Sequence, residues 1–450
     1  MMPATNKTSL SIGIDFGTTN SSIACVREQG VVQLLSFPTA AGVTESFRSV
    51  LYLEQQKQAG RTQIKGFTGP AAIERYLDAE HKGRLIQSLK SYLTSRTLTG
   101  TEVFGRRYAI EDLIARILTD LRHAAETSFG EPVRRATVGR PVRFVGAESD
   151  EDDAFAVERL RRAFLHAGFE DVIFEMEPIA AAYAYEATLN HDELILIGDF
   201  GGGTSDFSLL HVGPGVRRRG RTAKDLLGNS GLGLAGDSFD ARIVRRLVSP
   251  ALGSDSFERS YAQAADRPPV IIPAVPAWIY RNLERWHYLS FLKTRNVAEI
   301  LKSARGRAQE PEKIEALINL VEEDLGYQLH QAVQRLKIEL SVRQSAEFRF
   351  RDGSMDIIAA VSRAEFEDWI ADDLRSIENC VDALLATSCI PAGCVELVFL
   401  TGGTSFVPAV RRIFEERFGA ERVRTGDEFT SVARGLAIRA QASEAGTKST

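Results

Sequence analysis

Two short turns rich in glycine and threonine have the residue types that hold a phosphate group. The first contains Gly17, Thr18 and Thr19, and the second consists of Gly201, Gly202, Gly203 and Thr204. Glycine lets several backbone N–H groups converge on one oxyanion, and threonine adds a hydroxyl donor. One such turn is weak evidence, because many glycine-rich turns are only turns. Two in one chain predict a bound phosphate ester.

An aspartate lies two residues before each turn, at Asp15 and at Asp199. A carboxylate here would repel a phosphate unless a cation lay between them. Mg²⁺ prefers oxygen ligands and usually keeps several of its waters, so we expect both aspartates to support Mg²⁺, in part through water. The alternative is that each aspartate only caps its turn, as aspartate often does.

A third glycine-rich segment follows an apolar run late in the chain and precedes a helical pattern. It contains Gly402, Gly403 and Thr404. The junction between a strand and a helix allows close approach to a ribose and its phosphate. We therefore expect a nucleoside contact here, with Asp427 supporting the same pocket.

The elements around the first two turns form an internal repeat. The segments SIGIDFGTTNSSIACV from Ser11 and LIGDFGGGTSDFSLLHV from Leu196 both predict two strands joined by a tight turn. Each is followed later by a strand, a loop and a helix, which predicts a partly parallel sheet covered by helices. We expect lobe I over 1–193, with an inserted subdomain at about 41–128, and lobe II over 194–450, with an insertion at about 248–326. Apolar stripes predict helices from Tyr327 to Ser341 and from Phe366 to Leu385.

The composition is that of an ordinary globular protein of more than one domain. The 450 residues are 44% hydrophobic and 26% charged, with a net charge of −5. This balance argues against nucleic-acid or membrane partners. The N-terminal residues lack the apolar region of a signal peptide, so we expect a cytoplasmic protein. The four cysteines show no C-x-x-C spacing and are interpreted as reduced core thiols.

Six segments together carry a family resemblance. They are IGIDFGTTNSS, VGRPVRF, EPIAAAYAY, IGDFGGGTSDFSLL, GLAGDSFDARIV and LTGGTSFVPAVRRIF. Their order and spacing resemble the ATPase domains of DnaK-type heat-shock chaperones, of the heat shock protein 70 family. The resemblance implies a duplicated ribonuclease-H-like, actin-like ATPase fold, with two lobes clasping ATP or ADP with Mg²⁺ in a cleft.

The same resemblance implies roles for further residues. Lys90 matches a lysine beside the γ-phosphate, while Glu177 and Asp206 match carboxylates near the attacking water and the Mg²⁺ shell. Asp199 and Thr204 complete the implied catalytic group, and Asn20 adds to the first phosphate turn. For Lys90 the alternative of an exposed helix lysine stays open.

Three positions in the second half of the chain match nucleotide-binding positions of the family, and two of them, Lys337 and Ser341, match contacts to the ribose and adenine. They are Gly236, Lys337 and Ser341. The chain departs from the family at Ile338, where an arginine is common. Stacking of a guanidinium on the base would be missing, which puts base affinity in question.

The function implied is slow ATP hydrolysis that drives lobe closure in a chaperone-like protein with a protein partner. We expect no peptide-binding β-sandwich, because the sequence ends soon after the ATPase motifs. A nucleotide sensor that does not hydrolyse, an actin-like filament protein and a small-molecule kinase are the alternatives.

Two further features are open to two interpretations each. The basic run VRRRGR from Val216 is interpreted as a solvated loop. An aromatic cluster is either a partner groove or the core of a small subdomain; its members are Trp278, Tyr280, Trp286, Tyr288 and Phe291.

Overall fold

The computed structural model describes residues 10–27, 30–39, 42–58, 61–78, 83–186, 188–259, 272–285, 288, 292–352, 355–425 and 431–447. These residues fall into two compact units. The first consists of Met1–Ala235, Ser376–Phe406 and Val410–Thr450, and the second of Gly236–Arg375 with Val407–Ala409. The division into lobes at residue 193 and the two insertions stay predictions.

The first unit contains a six-stranded sheet in the order β13-β12-β1-β2-β3, with β6 also paired to β2. The hairpin strands β1 and β2 are antiparallel, and β12 runs parallel to β1. The bounds are β1 Leu10–Phe16, β2 Asn20–Val26, β3 Val32–Leu34, β6 Phe47–Arg48, β12 Val133–Arg140 and β13 Asp171–Met176.

A second sheet in the same unit repeats this plan in the order β16-β15-β14-β19-β20. Here too the hairpin strands β14 and β15 are antiparallel, and β19 runs parallel to the first of them. The bounds are β14 Glu193–Phe200, β15 Ser205–Val212, β16 Leu226–Leu232, β19 Leu397–Thr401 and β20 Val423–Thr425. The repeat expected from the sequence is therefore a repeat of sheet topology.

Four smaller sheets complete the strands. Three lie in the first unit: β4 Phe37–Thr39 with β5 Gly42–Thr44; β7 Val50–Gln58 with β8 Arg61–Thr68 and β9 Arg84–Gln87; and β10 Gly100–Val103 with β11 Arg106–Ala109. The second unit holds the hairpin of β17 Ser345–Asp352 and β18 Met355–Ser362.

The helices follow the same division. Those of the first unit are α1 Gly69–Asp78, α2 Ile110–Phe129, α3 Asp150–His166, α4 Glu177–Glu186, α5 Pro214–Arg219 and α15 Ser431–Thr447. Those of the second are α6 Gly236–Ile243, α7 Ser249–Ala251, α8 Ala277–Leu283, α9 Arg295–Arg307, α10 Pro311–Glu322, α11 Gly326–Val342 and α12 Arg363–Trp369. Two helices, α13 Ala371–Thr387 and α14 Pro408–Phe418, contain residues of both units.

The core of the first sheet forms because apolar residues alternate along its strands and recur on the helices that cover it. Ile12 and Ile14 of β1 and Val138 of β12 are fully buried, in one cluster with Leu113 and Ile117 of α2. Burial of each such side chain contributes about 1.5–3 kcal/mol. This packing fixes the ends of β1 and β12, where the polar residues of interest lie.

Helix α15 approaches its neighbours so closely that only glycine fits at two positions. A Cβ atom on Gly13 of β1 would lie 2.3 Å from the Ala437 backbone nitrogen. A Cβ atom on Gly435 would lie 1.6 Å from the carbonyl oxygen of Ala180 in α4. The backbones of α15, β1 and α4 are therefore in direct contact.

Three expectations from the sequence need correction. The helix expected from Phe366 to Leu385 is interrupted at Ile370, whose φ of −99° and ψ of 6° end α12 before α13 begins. Cys25 and Cys380 are buried as expected, but Cys389 and Cys394 are exposed, because they lie in the short connection after α13. The first four residues of the basic run, 216–219, belong to the short helix α5 and not to a loop, and the run continues past the end of this helix.

Candidate functional site

The first glycine-threonine turn closes the β1–β2 hairpin. Asp15 lies opposite Ser22 in the ladder, and the Gly17 N–H donates to the Asn20 carbonyl oxygen at 3.0 Å. A Cβ atom on Gly17 would lie 2.2 Å from that oxygen, so the turn requires glycine. The half-buried Thr18 and Thr19 occupy the tip.

The second turn has the same construction. Asp199 lies opposite Asp206 in the β14–β15 ladder, and the Gly201 N–H donates to the Thr204 carbonyl oxygen at 2.9 Å. Both hairpins predicted from the sequence are thus confirmed. In each of them the aspartate lies at the end of the first strand, two residues before the glycine.

The three glycine-rich segments lie side by side. A Cβ atom on Gly203 would lie 3.7 Å from the Thr18 hydroxyl oxygen, so the first two turns face each other. Gly402 has a φ of +85°, and a Cβ atom there would lie 2.0 Å from the Phe200 carbonyl oxygen. Gly403 and Thr404 begin the short 3₁₀ turn that follows Gly402. The backbones of three glycine-rich turns therefore lie in one region.

Lys90 forms a buried ion pair with Glu177. Its Nζ atom donates to Glu177 Oε1 at 2.7 Å, and each residue is only 7% exposed. Burial acts to lower the pKa of Lys90, but the carboxylates of Glu177 and Asp15 outweigh it and raise the pKa. Glu177 is the first residue of α4, directly after β13. The alternative of an exposed helix lysine is therefore wrong.

Three aspartates share this environment and disfavour one another's charge. Burial, reinforced by the charge of Glu177, raises the pKa of Asp15 to about 7 and that of Asp206 to about 7. The same two causes raise the pKa of Asp199 well above its ordinary value. A cation bound here would relieve this repulsion.

Asp206 is held by backbone groups that the sequence analysis did not identify. Its Oδ1 atom accepts hydrogen bonds from the N–H groups of Val142, at 2.8 Å, and Arg143, at 3.3 Å. Its Oδ2 atom is buried and has no hydrogen-bond partner in the described part of the chain. The two N–H groups thus fix one oxygen of Asp206, and the Thr204 side chain also forms a hydrogen bond with this carboxyl group.

The donor set fits Mg²⁺ better than a softer metal. Asp15, Asp199, Asp206 and Glu177 offer only oxygen atoms, which Mg²⁺ prefers. Among the described residues, no group of three histidines, cysteines or carboxylates converges closely enough to hold a metal ion. This arrangement suits an ion that keeps several waters.

Three of the residues predicted to bind the nucleotide, Gly236, Lys337 and Ser341, form a group within the second unit. Lys337 Nζ donates to the Gly236 carbonyl oxygen at 3.1 Å and pairs with the buried Asp240 at 2.6 Å. The Ser341 hydroxyl donates to the Lys337 carbonyl oxygen one turn away. Ile338 on the same helix is 63% exposed. Asp240 was not anticipated, because an aspartate in a helix has no distinctive sequence signal.

Asp427 lies outside the described residues, as do Trp286 and Phe291 of the aromatic cluster. Tyr280 of that cluster is buried, and its hydroxyl donates to the Leu252 carbonyl oxygen, whereas Trp278 is 40% exposed. The cluster therefore contributes in part to a core.

The basic run offers little free positive charge. Arg219 pairs with Asp225, and Arg221 pairs with Glu186. Arg217 donates to the Glu186 carbonyl oxygen of α4, and Arg218 donates to the Pro214 carbonyl oxygen of its own helix. These contacts give the run a structural explanation.

In the described part of the chain, no helix has the length and hydropathy needed to cross a membrane.

A family model described as Hsp70 protein matches residues 11–263 and 308–449. A protein named Chaperone protein DnaK from Thermosipho africanus is 26% identical over 436 residues, which cover 97% of this chain and 59% of that protein. Proteins of the same name from Thermotoga petrophila and Thermotoga maritima are 26% identical over 430 residues, or 95% of this chain and 59% of theirs. The chain thus spans about three fifths of the length of these relatives.

Proposed function

The chain belongs to the Hsp70 family, and from that premise we propose that it binds ATP and ADP with Mg²⁺ and hydrolyses ATP slowly. The observation that carries the proposal is the convergence of Asp15, Asp199 and Asp206 with the Lys90–Glu177 pair. The glycine-rich turns adjoin these groups. Family membership also implies an actin-like ATPase fold, and we propose that its two lobes close on the nucleotide.

The turns are proposed to bind the phosphates. Thr18, Thr19 and Thr204 supply hydroxyls beside backbone N–H groups, and Gly402 allows the third turn to approach the same region. These donors match oxyanions without adding charge. In the second unit, Gly236, Lys337 and Ser341 are proposed to contact the nucleoside.

The reaction would depend on positioning and electrostatics rather than on one strong base. Bound Mg²⁺, supported by Asp15 and Asp199, would neutralise charge on the phosphate oxygens. Lys90 would place its ammonium beside the transferred phosphoryl group, oriented by Glu177. Asp206, fixed through Oδ1 by two backbone N–H groups, would accept a hydrogen bond from the attacking water.

The biological output is proposed to be a change of surface that a protein partner recognises. The relatives carry the name chaperone, and a chaperone-like role with a client protein is the corresponding proposal here. Mechanical output from hydrolysis requires that the nucleotide-bound states differ in structure. A cytoplasmic location stays a prediction.

Two measurements on the unmodified protein test the proposal. Calorimetric titration with ADP should show binding that weakens when EDTA removes Mg²⁺, and purified protein should release phosphate from Mg-ATP. Tight binding without phosphate release would favour the nucleotide sensor. ATP-dependent light scattering would favour a filament, and turnover that requires an added sugar would favour a kinase. Failure to bind any nucleotide would overturn the proposal.

Asp199→Asn should change stability and ligand binding in opposite directions. Removing one of several buried, mutually repelling carboxyls should raise the free energy of unfolding without ligand by roughly 1 kcal/mol. In the unmodified protein, Mg-ADP at a hundredfold excess over its Kd should add about 2.7 kcal/mol. We expect the Mg²⁺-dependent part of that gain to disappear in the variant.

Denaturant unfolding with and without Mg-ADP measures both effects. Asp150→Asn is the matched control, because its side chain is 98% exposed. It should leave both quantities nearly unchanged. Equal Mg²⁺-dependent stabilisation of Asp199→Asn and the unmodified protein would contradict the proposed role of Asp199.

A further inference from the structure

The turn that carries Lys90 has little regular structure to hold it. Lys90 lies in a single 3₁₀ turn, Leu89–Tyr92. The residue that precedes the turn, Ser88, is buried and is not glycine, yet it has a φ of 53°. Such a backbone conformation costs about 1–3 kcal/mol and persists only when the surroundings fix it. Something outside the turn must therefore hold it.

Arg159 of α3 provides that support. Its guanidinium is 3% exposed, and its Nη1 atom donates to the carbonyl oxygens of Tyr92, Leu93 and Ser95 at 3.0, 3.1 and 3.1 Å. Carbonyl groups at the end of a helical turn lack partners within it. The Arg159 side chain thus binds three carbonyl oxygens, all from residues within five positions after Lys90.

Glu111 of α2 fixes the other side of the guanidinium. Arg159 Nε donates to Glu111 Oε1 at 2.6 Å. The planar fork of arginine can bind a carboxylate on one edge and carbonyl oxygens on the other, which the single ammonium of lysine cannot do. Arg159 therefore links α2 and α3 to the turn of Lys90.

A second arginine provides a comparison. Arg122 also pairs with a glutamate, Glu126, and donates to one carbonyl oxygen, that of Ala167. Ala167 caps the C-terminal end of α3 and is distant from Lys90 in sequence. The two arginines share their chemistry, but only Arg159 binds the segment that carries Lys90.

We propose that Arg159 is a positioning residue that holds Lys90 Nζ in place for phosphoryl transfer. The proposal rests on the proposed function for the chemistry of Lys90, but the restraint itself does not depend on hydrolysis. It assigns to α3 a role in addition to covering the sheet. Two experiments separate the restraint from its catalytic consequence.

The first experiment measures how accessible Lys90 is, without nucleotide. Folded protein is treated with an acetylating reagent, and modification of the Lys90 peptide is followed by mass spectrometry. Loss of hydrogen bonds to a charged group should raise the rate of modification about tenfold in Arg159→Lys. Arg122→Lys should leave the rate of Lys90 modification unchanged, although both variants replace an arginine that pairs with a glutamate. An unchanged Lys90 rate in Arg159→Lys would overturn the proposal.

Glu111→Gln is a second variant that tests the same restraint if Arg159→Lys does not fold. It keeps Arg159 but weakens its anchor, so we expect a smaller rise in Lys90 modification. If Arg159→Lys fails to give a cooperative thermal transition, Glu111→Gln decides the question. No rise in that variant would count against the restraint.

The second experiment asks whether Arg159 acts through Lys90. Single-turnover phosphate release is measured for Arg159→Lys in the unmodified and the Lys90→Ala backgrounds. Misplacement of a catalytic group should lower the rate about 10- to 100-fold in the first background. In the second it should change less than about twofold, since the affected group is absent. Equal losses in both backgrounds would overturn the proposal. If the unmodified protein releases no phosphate, the proposed function fails while the labelling experiment still decides the restraint.

Discussion

Lys90→Ala should lower phosphate release from Mg-ATP by about 100- to 1,000-fold while nucleotide still binds. The ammonium of Lys90 is buried, fixed by Glu177 and surrounded by aspartates, so it is already oriented before a phosphoryl group arrives. A charge held in this way stabilises charge that develops in the transition state, and it does so without reorganisation. On the proposed function the turns would bind the phosphates without Lys90, so nucleotide affinity should largely survive the substitution.

The same substitution should also affect stability, and this needs a control. Removing one partner of a buried ion pair leaves the other uncompensated and costs about 3–5 kcal/mol. The double variant Lys90→Ala, Glu177→Gln removes that charge and should recover most of the loss without recovering turnover. Lys65→Ala, at an exposed position, should match the unmodified protein. Single-turnover kinetics with unchanged rates in Lys90→Ala would contradict the assignment.

Gly435→Ala should lower the free energy of unfolding by about 3 kcal/mol. The added Cβ atom would lie 1.6 Å from the Ala180 carbonyl oxygen, so α15 must move away from α4. Such a movement also disturbs the contact of α15 with Gly13 of β1, because the helix packs on both. The cost therefore includes lost core packing as well as the local clash.

Gly306→Ala is the matched control for this substitution. Gly306 also lies in a helix, but a Cβ atom there would meet nothing within 4 Å. Alanine is the better helix former, so this change should raise the free energy of unfolding by about 0.5–1 kcal/mol. Urea denaturation measures the free energy of unfolding of both variants, which should fall in Gly435→Ala and rise in Gly306→Ala. A Gly435→Ala protein as stable as Gly306→Ala would refute the close packing of α15.

The parts of the fold that the sequence predicted are those fixed by local pattern. The two hairpins follow from alternating apolar residues that end in Asp-Phe-Gly, and their turns follow from glycine. The later strand of each repeat, near Ala136 in β12 and near Cys394 in β19, was expected for the same reason. The positions of Asp15 and Asp199 at strand ends come with these elements.

The contacts that complete the site depend on long-range packing. Lys90 and Glu177 are separated by 87 positions, and the resemblance alone suggested that they belong together. Arg159 lies beside the apolar stripe of α3, where a charged residue is ordinarily assigned to solvent. Nothing in its local sequence indicates that its guanidinium group binds three carbonyl oxygens. The small residues of α15 did carry a signal for close helix packing, at Ala433, Gly435 and Ala437.

The two sheets have the same strand order, but the residues at equivalent positions of their hairpins differ. In one sheet the residue across the ladder from the aspartate is Ser22, and in the other it is Asp206. A homodimer of half-length chains would carry the same residue at both places, because one gene would encode both. A single chain with two copies can place a hydroxyl in one and a carboxylate in the other. The repeated sheet topology thus places equivalent strand ends at the site. Because both repeats lie in one chain, the residues at the two strand ends can differ.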